Sequence, residues 1–342
     1  MKKILLTLLL SSYALSFSIQ DEVRELNNKF NNYAKYPIIV FDKKEVISKI
    51  RGKSKQDQFQ VLKDYVKDHS GVEISDFEAD TILSYHTLMN SSASALPFRD
   101  GFDGDYKFCA VFPSGVESDH DAEVERILGA NATPSIYPEG SIESVKKLMS
   151  LKELKLYSLY HELSHCLDPY FIPQSRRAGH DIHQAESFAE VLALFLLSEK
   201  ERFKSLGLRR SFQRTLYTKY MGKYLATTDD IIVFDETMRQ GGIIYYLSPV
   251  LLRANQQLND YDFRMKKKTL EDYIQVSYEI VNHHALSGRQ FAALSLYLKD
   301  GKEQILKQYL NMMLSAPDLF YDTYLGLQFH ISVIEDIDLV LE

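Results

Sequence analysis

The stretch LYHELSHCL, residues 159–167, governs how the rest of this chain is interpreted. It places HELSH inside an apolar run, with His161 and His165 four residues apart. On a helix, side chains in this spacing lie one turn above each other, so two imidazoles can bind one metal ion from the same face. Glu162 would then lie beside the ion, placed to take a proton from metal-bound water rather than to bind the metal. The stretch therefore predicts a helix with two metal ligands and a general base.

The helix that carries this motif is predicted to span residues 151–167. Proline disfavours helical geometry in the residue before it, so the Asp168-Pro169 pair is expected to end the helix. Asp168 could also orient a metal ligand, although ending the helix is the simpler role. After a loop over residues 170–182, a second and strongly apolar helix is predicted for residues 184–198.

A catalytic zinc site needs a third protein ligand and an open position for water. The metzincin pattern takes a histidine six residues after the second one, with a glycine midway, but these positions hold Phe171 and Asp168. The other common source is a glutamate from a later helix, and Glu186 and Glu190 lie on one apolar-flanked face of the second helix. Two carboxylates facing a packed interior are costly unless they are paired or bind a cation. Glu186 as ligand and Glu190 as acceptor for the free ring N–H of His161 would satisfy both charges.

This order of parts resembles the gluzincin metallopeptidases, the group that includes the thermolysin and anthrax lethal factor families. The matching parts are HELSH at residues 161–165, a gap of 20 residues, and Glu186 with an acid four residues later. The resemblance covers residues 151–198. It implies that His161, His165 and Glu186 bind Zn²⁺, and that Glu162 acts first as general base and then as general acid.

The same resemblance implies a tyrosine or histidine that donates a hydrogen bond to the oxyanion of the tetrahedral intermediate. Tyr245 is the preferred candidate, because a turn at the Gly-Gly pair before it could present its side chain to the cleft. Tyr246, and His180 and His183 before the second helix, remain alternatives. Each also has a plain structural interpretation, since a tyrosine among 22 is usually a packing residue.

The first 18 residues have the order of positive, apolar and small residues that defines a secretory signal. Their apolar run is too short to span a bilayer, and no cysteine near the expected cleavage site offers a lipid anchor. No other stretch approaches the length of a transmembrane helix. We therefore expect an exported mature chain without a membrane anchor, located in a bacterial periplasm or in the medium.

Composition indicates an ordinary globular protein, with 45% hydrophobic and 25% charged residues in 342. The net charge of −7 comes without an extended basic patch, which argues against a nucleic-acid partner; the lysines at 266–268 are interpreted as a solvated face. The predicted fold class is α+β and predominantly helical, with a zincin-like core. An N-terminal and catalytic region is expected over residues 19–200, followed by a C-terminal helical lobe over 201–342.

Two short strands are predicted, at residues 38–41 and 106–112, with an irregular connection over 91–105 that contains Pro97. The second strand precedes the motif helix, as an edge strand does in zincin folds, and could hold an extended peptide by backbone pairing. Cys109 in this strand and Cys166 after the motif could form a disulfide in an oxidising compartment. Two buried thiols that never meet are equally compatible with the sequence.

These patterns together predict an exported zinc-dependent peptidase acting on peptide or protein substrates. One alternative keeps the zinc but acts on amides of cell-wall peptides. Another is a non-catalytic periplasmic binding protein with a structural metal site, against which Glu162 argues, because a structural site requires no general base.

Overall fold

The computed structural model describes residues 18–33, 35–87, 93–100, 104–114, 119–129, 134–168, 178–200, 203, 205–228 and 240–337. The fold is α+β and predominantly helical with a small sheet, which confirms the predicted class at this level. Residues 1–17 of the predicted secretory signal lie outside the described part. Within that part, every helix falls short of the length and apolarity that crossing a bilayer requires.

The elements follow one another with short connections. The strands are β1 (Ile38–Val40), β2 (Ser94–Arg99) and β3 (Tyr106–Phe112). Up to residue 200 the helices are α1 (Ile19–Phe30), α2 (Lys43–Ile50), α3 (Lys55–Ser70), α4 (Asp76–Thr87), α5 (His120–Leu128), α6 (Ser141–Leu148), α7 (Leu151–Leu167) and α8 (Gly179–Lys200). Beyond it they are α9 (Leu206–Tyr217), α10 (Lys223–Thr227), α11 (Gly241–Ile244), α12 (Ser248–Asn259), α13 (Tyr261–Met265), α14 (Leu270–His284), α15 (Gly288–Asp300), α16 (Lys302–Ser315) and α17 (Pro317–Glu335).

The sheet has the order β1-β3-β2, with β3 parallel to β1 and antiparallel to β2. The prediction that residues 106–112 form an edge strand is therefore wrong, because β3 is hydrogen-bonded on both sides. The irregular connection predicted for residues 91–105 is also wrong in part, since β2 lies within it. Pro97 is tolerated there because β2 is an edge strand of the described sheet, where a missing N–H breaks no ladder.

Alternate residues of the strands face two different hydrophobic clusters, as the two-residue period of a strand requires. Cys109 and Val111 point towards a large cluster that includes α1, α7 and α8. Phe108, Ala110 and Phe112 point towards a smaller cluster with α2, α3 and α4. The sheet therefore separates the helices of the N-terminal segment from the two buried helices that carry the motif residues.

Local signals fix both ends of α7. The Ser150 hydroxyl accepts the Glu153 N–H at 3.3 Å, and the Glu153 carboxylate accepts the Ser150 N–H at 2.8 Å, which forms a capping box. At the other end a disulfide joins Cys166 to Cys109, with 5.8 Å between their Cα atoms. This bond resolves the alternative left open by the sequence, and it ties the last turn of α7 to the central strand.

Helix α8 is longer than the predicted 184–198, because it begins at Gly179 and ends at Lys200. It packs along α7, and nearly all of its side chains up to Leu197 are buried. The proposed boundary after residue 200 stays a prediction. The large hydrophobic cluster takes residues from both sides of it, such as Leu159 and Phe195 on one side and Val250 and Ile280 on the other.

Candidate metal centre

Helices α7 and α8 bring three potential metal ligands together in the protein interior. His161 and His165 come from α7 and Glu186 from α8, with side chains 7%, 4% and 2% exposed. One nitrogen or oxygen atom from each residue lies within 4.8 Å of the others. The Nε2 atoms of the two histidines are 3.2 Å apart, and Glu186 Oε2 and Oε1 lie 3.1 Å from His161 Nε2 and 3.6 Å from His165 Nε2.

These separations fit a tetrahedral metal site. With metal–ligand bonds of about 2.05 Å, two ligand atoms of a tetrahedral ion lie about 3.3 Å apart. The observed separations of 3.1, 3.2 and 3.6 Å fall on both sides of this value. The group could therefore hold a metal ion without large movement, and three ligands leave a fourth position open.

The charges in this cluster favour a cation beside Glu186. Burial by itself would raise the pKa of Glu186, but His165 and His161 outweigh it and hold that pKa well below its ordinary value. Burial would likewise lower the pKa of His165, yet the Glu186 carboxylate outweighs it and raises that pKa. The buried carboxylate is thus stabilised by neighbouring positive charge, which a divalent ion would supply directly.

Glu162 lies on α7 between the two histidines in sequence, and its side chain is only partly buried. It is not one of the three clustered ligands. Its negative charge nevertheless acts on both His165 and Tyr245, raising their pKa values. A carboxylate beside the cluster but outside it is compatible with the predicted role in proton transfer.

Tyr245 follows the last residue of α11 and lies close to the same cluster. The negative charge of Glu186 is the main cause that raises its pKa well above the ordinary value, and burial adds to this effect. The Arg214 guanidinium lies 5.0 Å from the centre of the Tyr245 ring, and the ring of Tyr217 meets it edge-on at 5.7 Å. The phenol therefore stays protonated and can donate a hydrogen bond near Glu186.

A close approach of two backbones, rather than a turn, explains the glycines before Tyr245. The predicted Gly-Gly turn is wrong, because both residues belong to α11. A Cβ atom on Gly242 would lie 1.9 Å from the Cα atom of Gly222, at the end of the π-helical segment Thr218–Gly222. The Thr218 hydroxyl also donates to the Gly242 carbonyl at 2.9 Å. This packing fixes the position of α11 and hence of Tyr245.

The histidine alternatives to Tyr245 are engaged in contacts with the backbone. His183 is buried, its Nδ1 lies 3.0 Å from the Ile244 carbonyl oxygen, and its Nε2 accepts the Leu286 N–H at 3.2 Å. His180 Nε2 lies 2.9 Å from the Leu286 carbonyl oxygen. Both rings therefore join α8 to the segments around residues 244 and 286.

Tyr246, the remaining alternative, is completely buried in a hydrophobic cluster, with its hydroxyl 3.3 Å from His330 Nδ1. Burial lowers the pKa of His330 to about 4 and is also the main cause that lowers the pKa of His183 to about 4. Both histidines are thus neutral in the folded protein at physiological pH.

Acid should destabilise the protein through these two histidines. Because a histidine in the unfolded chain has a pKa of about 6.5, the unfolded state binds more protons between about pH 6.5 and 4. Their contribution is complete above pH 6.5 and is lost as the pH falls towards 4. We expect metal-free His330→Gln to lose about 2 kcal/mol less unfolding free energy than wild type between about pH 7 and 4.5, measured by urea unfolding. Equal losses would contradict this role.

A residue pair that the sequence analysis missed surrounds Glu190, which is completely buried. Arg210 donates to Glu190 Oε1 from Nη2 at 2.7 Å and to Oε2 from Nε at 3.1 Å. Arg214 donates to Oε1 from Nε at 2.8 Å, and its Nη2 bonds the same oxygen. His161 Nδ1 is 3.6 Å from Glu190 Oε1, too far for the expected hydrogen bond.

The charge of Glu190 is stabilised by these arginines. Burial alone would raise the pKa of Glu190, but Arg210 and Arg214 outweigh it and hold that pKa far below its ordinary value. A signal was present in the sequence, because Arg210 and Arg214 are four residues apart on α9, as Glu186 and Glu190 are on α8. Buried acids on one helix require cations from another, and this pair supplies them.

Asp168 lies at the end of α7, as the sequence predicts for the helix stop. Its side chain is buried, and it accepts a hydrogen bond from the Tyr278 hydroxyl at 2.5 Å. Its negative charge also contributes to the raised pKa of His165. Asp168 therefore ends the helix and acts on one of the potential ligands.

The centre thus consists of two histidines and a glutamate, with Glu162 and Tyr245 beside them and Glu190 held by two arginines. Comparison with models of protein families, with characterised proteins and with solved structures finds no match for this chain.

Proposed function

We propose that this chain is an exported zinc-dependent metallopeptidase of the gluzincin type that hydrolyses peptide bonds. The observation that carries the proposal is the buried group of His161, His165 and Glu186, with potential ligand atoms 3.1 to 3.6 Å apart. Glu162 on the same helix and Tyr245 beside Glu186 supply the further groups that peptide hydrolysis requires.

In this proposal His161, His165 and Glu186 hold the zinc ion. When bound, zinc supplies a Lewis acid that polarises a carbonyl oxygen and lowers the pKa of a water molecule to about 7. Glu162 accepts the proton of the attacking water and passes it to the leaving amine. The Tyr245 hydroxyl, kept protonated by its raised pKa, donates a hydrogen bond to the developing oxyanion.

A zincin-like core is part of the proposal. The helix with the motif packs against β2 and β3, and the helix with the later glutamate packs against α7. Because β3 is central, the substrate backbone is now expected to pair with an edge strand, and β2 is the antiparallel edge that contacts α7. Export is supported by the residue order of the first 18 positions and by the disulfide, which an oxidising compartment preserves.

Zinc content and hydrolysis of the mature chain test this function. We expect one zinc ion per wild-type chain after dialysis, and casein hydrolysis that a zinc chelator stops. Glu186→Gln should bind zinc at least about 100-fold more weakly, because changes around a ligand already cost up to that factor. The matched control is Glu199→Gln, an exposed acid on the same helix, which should leave zinc affinity unchanged.

The outcomes separate the alternatives. Wild type without zinc would show that the site assignment is wrong. Zinc with cleavage of peptidoglycan stems but not of casein would favour the cell-wall amidase. Zinc with hydrolysis of neither would favour the non-catalytic binding protein.

A further inference from the structure

Helix α17 is apolar on two faces, and only one of them is covered. The inner face packs into the hydrophobic cluster shared with α15 and α16 through Leu327, Ile331 and Ile334, all completely buried. The outer face carries Tyr321, Leu325 and Phe329, which are 54%, 45% and 60% exposed. Their spacing of four residues places them in one row along the helix.

Two further apolar side chains extend this row where α16 meets α17. Leu314 is 70% and Leu319 is 53% exposed. Single exposed apolar residues are normal, but a contiguous group on one element marks a contact surface. Half of the surface of five such side chains is roughly 500 Å², taking about 200 Å² for each. This equals the apolar part of a standard interface, which covers about 800 Å² per partner and is about 60% apolar.

The spacing of the row suits a second copy of the same helix. Rows at every fourth residue interdigitate when two helices cross at about −50°. With a two-fold axis at Leu325, Tyr321 of one copy lies opposite Phe329 of the other. We propose that two copies of this chain associate through an antiparallel crossing of their α17 helices.

Charge also favours a second copy over an anionic surface. Asp318 and Asp322 flank the N-terminal half of the row, and in the antiparallel pairing they lie opposite Ser332 and Gln328 rather than opposite acids. An anionic membrane would instead be repelled by these acids and by the net charge of −7. The pairing therefore buries the apolar row without placing like charges against each other.

Sedimentation equilibrium of the full mature chain, over the micromolar range, tests the association. Wild type is expected to show a monomer–dimer equilibrium, and Leu325→Glu and Phe329→Glu should weaken it at least about 100-fold, because each contact would bury unpaired charge. Phe77→Glu is the matched control, since Phe77 is an 81% exposed aromatic on α4, and it should dimerise like wild type. Circular dichroism checks that each variant is folded.

Cross-linking tests the register without a charged substitution. Leu325→Cys is expected to form a disulfide-linked dimer on mild oxidation, because the residue lies at the two-fold axis, whereas Phe77→Cys should stay monomeric. Wild type that is monomeric at every concentration would overturn the proposal, as would a dimer that survives Leu325→Glu. Monomeric protein that pellets with phosphatidylcholine vesicles only while Leu325 is present would overturn it in favour of a membrane surface. None of these measurements depends on zinc or on hydrolysis.

Discussion

Glu162→Gln is expected to bind zinc as wild type does and to lose peptide hydrolysis by roughly 10³-fold in kcat, the range typical of a missing general base. Glutamine has nearly the same shape as glutamate but cannot accept the proton of water. The ligand group of His161, His165 and Glu186 does not include residue 162, so zinc affinity should not change. Zinc content by atomic absorption, together with steady-state hydrolysis of a casein-derived peptide, measures both quantities on the same preparation.

Glu162→Asp is the matched variant for this prediction. It keeps a carboxylate but withdraws it by one methylene group, so we expect activity between that of wild type and Glu162→Gln, with zinc content unchanged. Full activity of Glu162→Gln would assign the base to another residue. Loss of zinc from Glu162→Gln would instead show that Glu162 is itself a ligand.

The helix α7 could be predicted almost to the residue because the signals that define it are local. An apolar helical pattern, the HELSH spacing and the Asp-Pro stop all lie within or beside the helix, and the structure has it at Leu151–Leu167. The sheet was predicted less well, because β2 contains Pro97 and lies in a Ser-rich stretch typical of loops. Its pairing with β3 is a tertiary contact, which local composition does not specify.

The candidate site shows the same division. Helical spacing fixes His161 relative to His165, and the apolar setting of Glu186 indicated a buried carboxylate that needs a cation; the structure brings all three together. Their role as zinc ligands stays a prediction. Arg210 and Arg214 were not recognised, because their contact with Glu190 joins α8 to α9 and depends on how these helices pack.

Arg214→Met is expected to affect both stability and metal binding. It removes two hydrogen bonds from the buried Glu190 carboxylate, and breaking such a buried pair costs about 3 kcal/mol or more of unfolding free energy. It also removes the guanidinium over the Tyr245 ring. Because Glu190 lies beside His161, zinc affinity should fall about 10- to 100-fold, as when groups behind a metal ligand are changed. Urea unfolding of metal-free protein and competition with a chelator measure the two effects separately.

A control on an exposed surface calibrates these numbers. Arg253 lies on α12, where its Nη2 is 3.4 Å from Gln257 Oε1, and this hydrogen bond is exposed to solvent. Arg253→Met should therefore change stability by less than about 0.5 kcal/mol and leave zinc affinity unchanged. An Arg214→Met protein as stable as Arg253→Met would contradict the importance of the buried contacts.

The triple substitution of Glu190, Arg210 and Arg214 by methionine separates folding from function. Replacing a complete buried charge network by apolar side chains of similar volume is often neutral or stabilising, whereas breaking one partner is costly. The triple variant should therefore recover the stability that Arg214→Met alone loses. Zinc affinity should stay low, because no charge beside His161 is restored. If zinc affinity recovered together with stability, the network would serve only the packing of α8 against α9; if it stays low in a stable protein, the network acts on the metal centre itself.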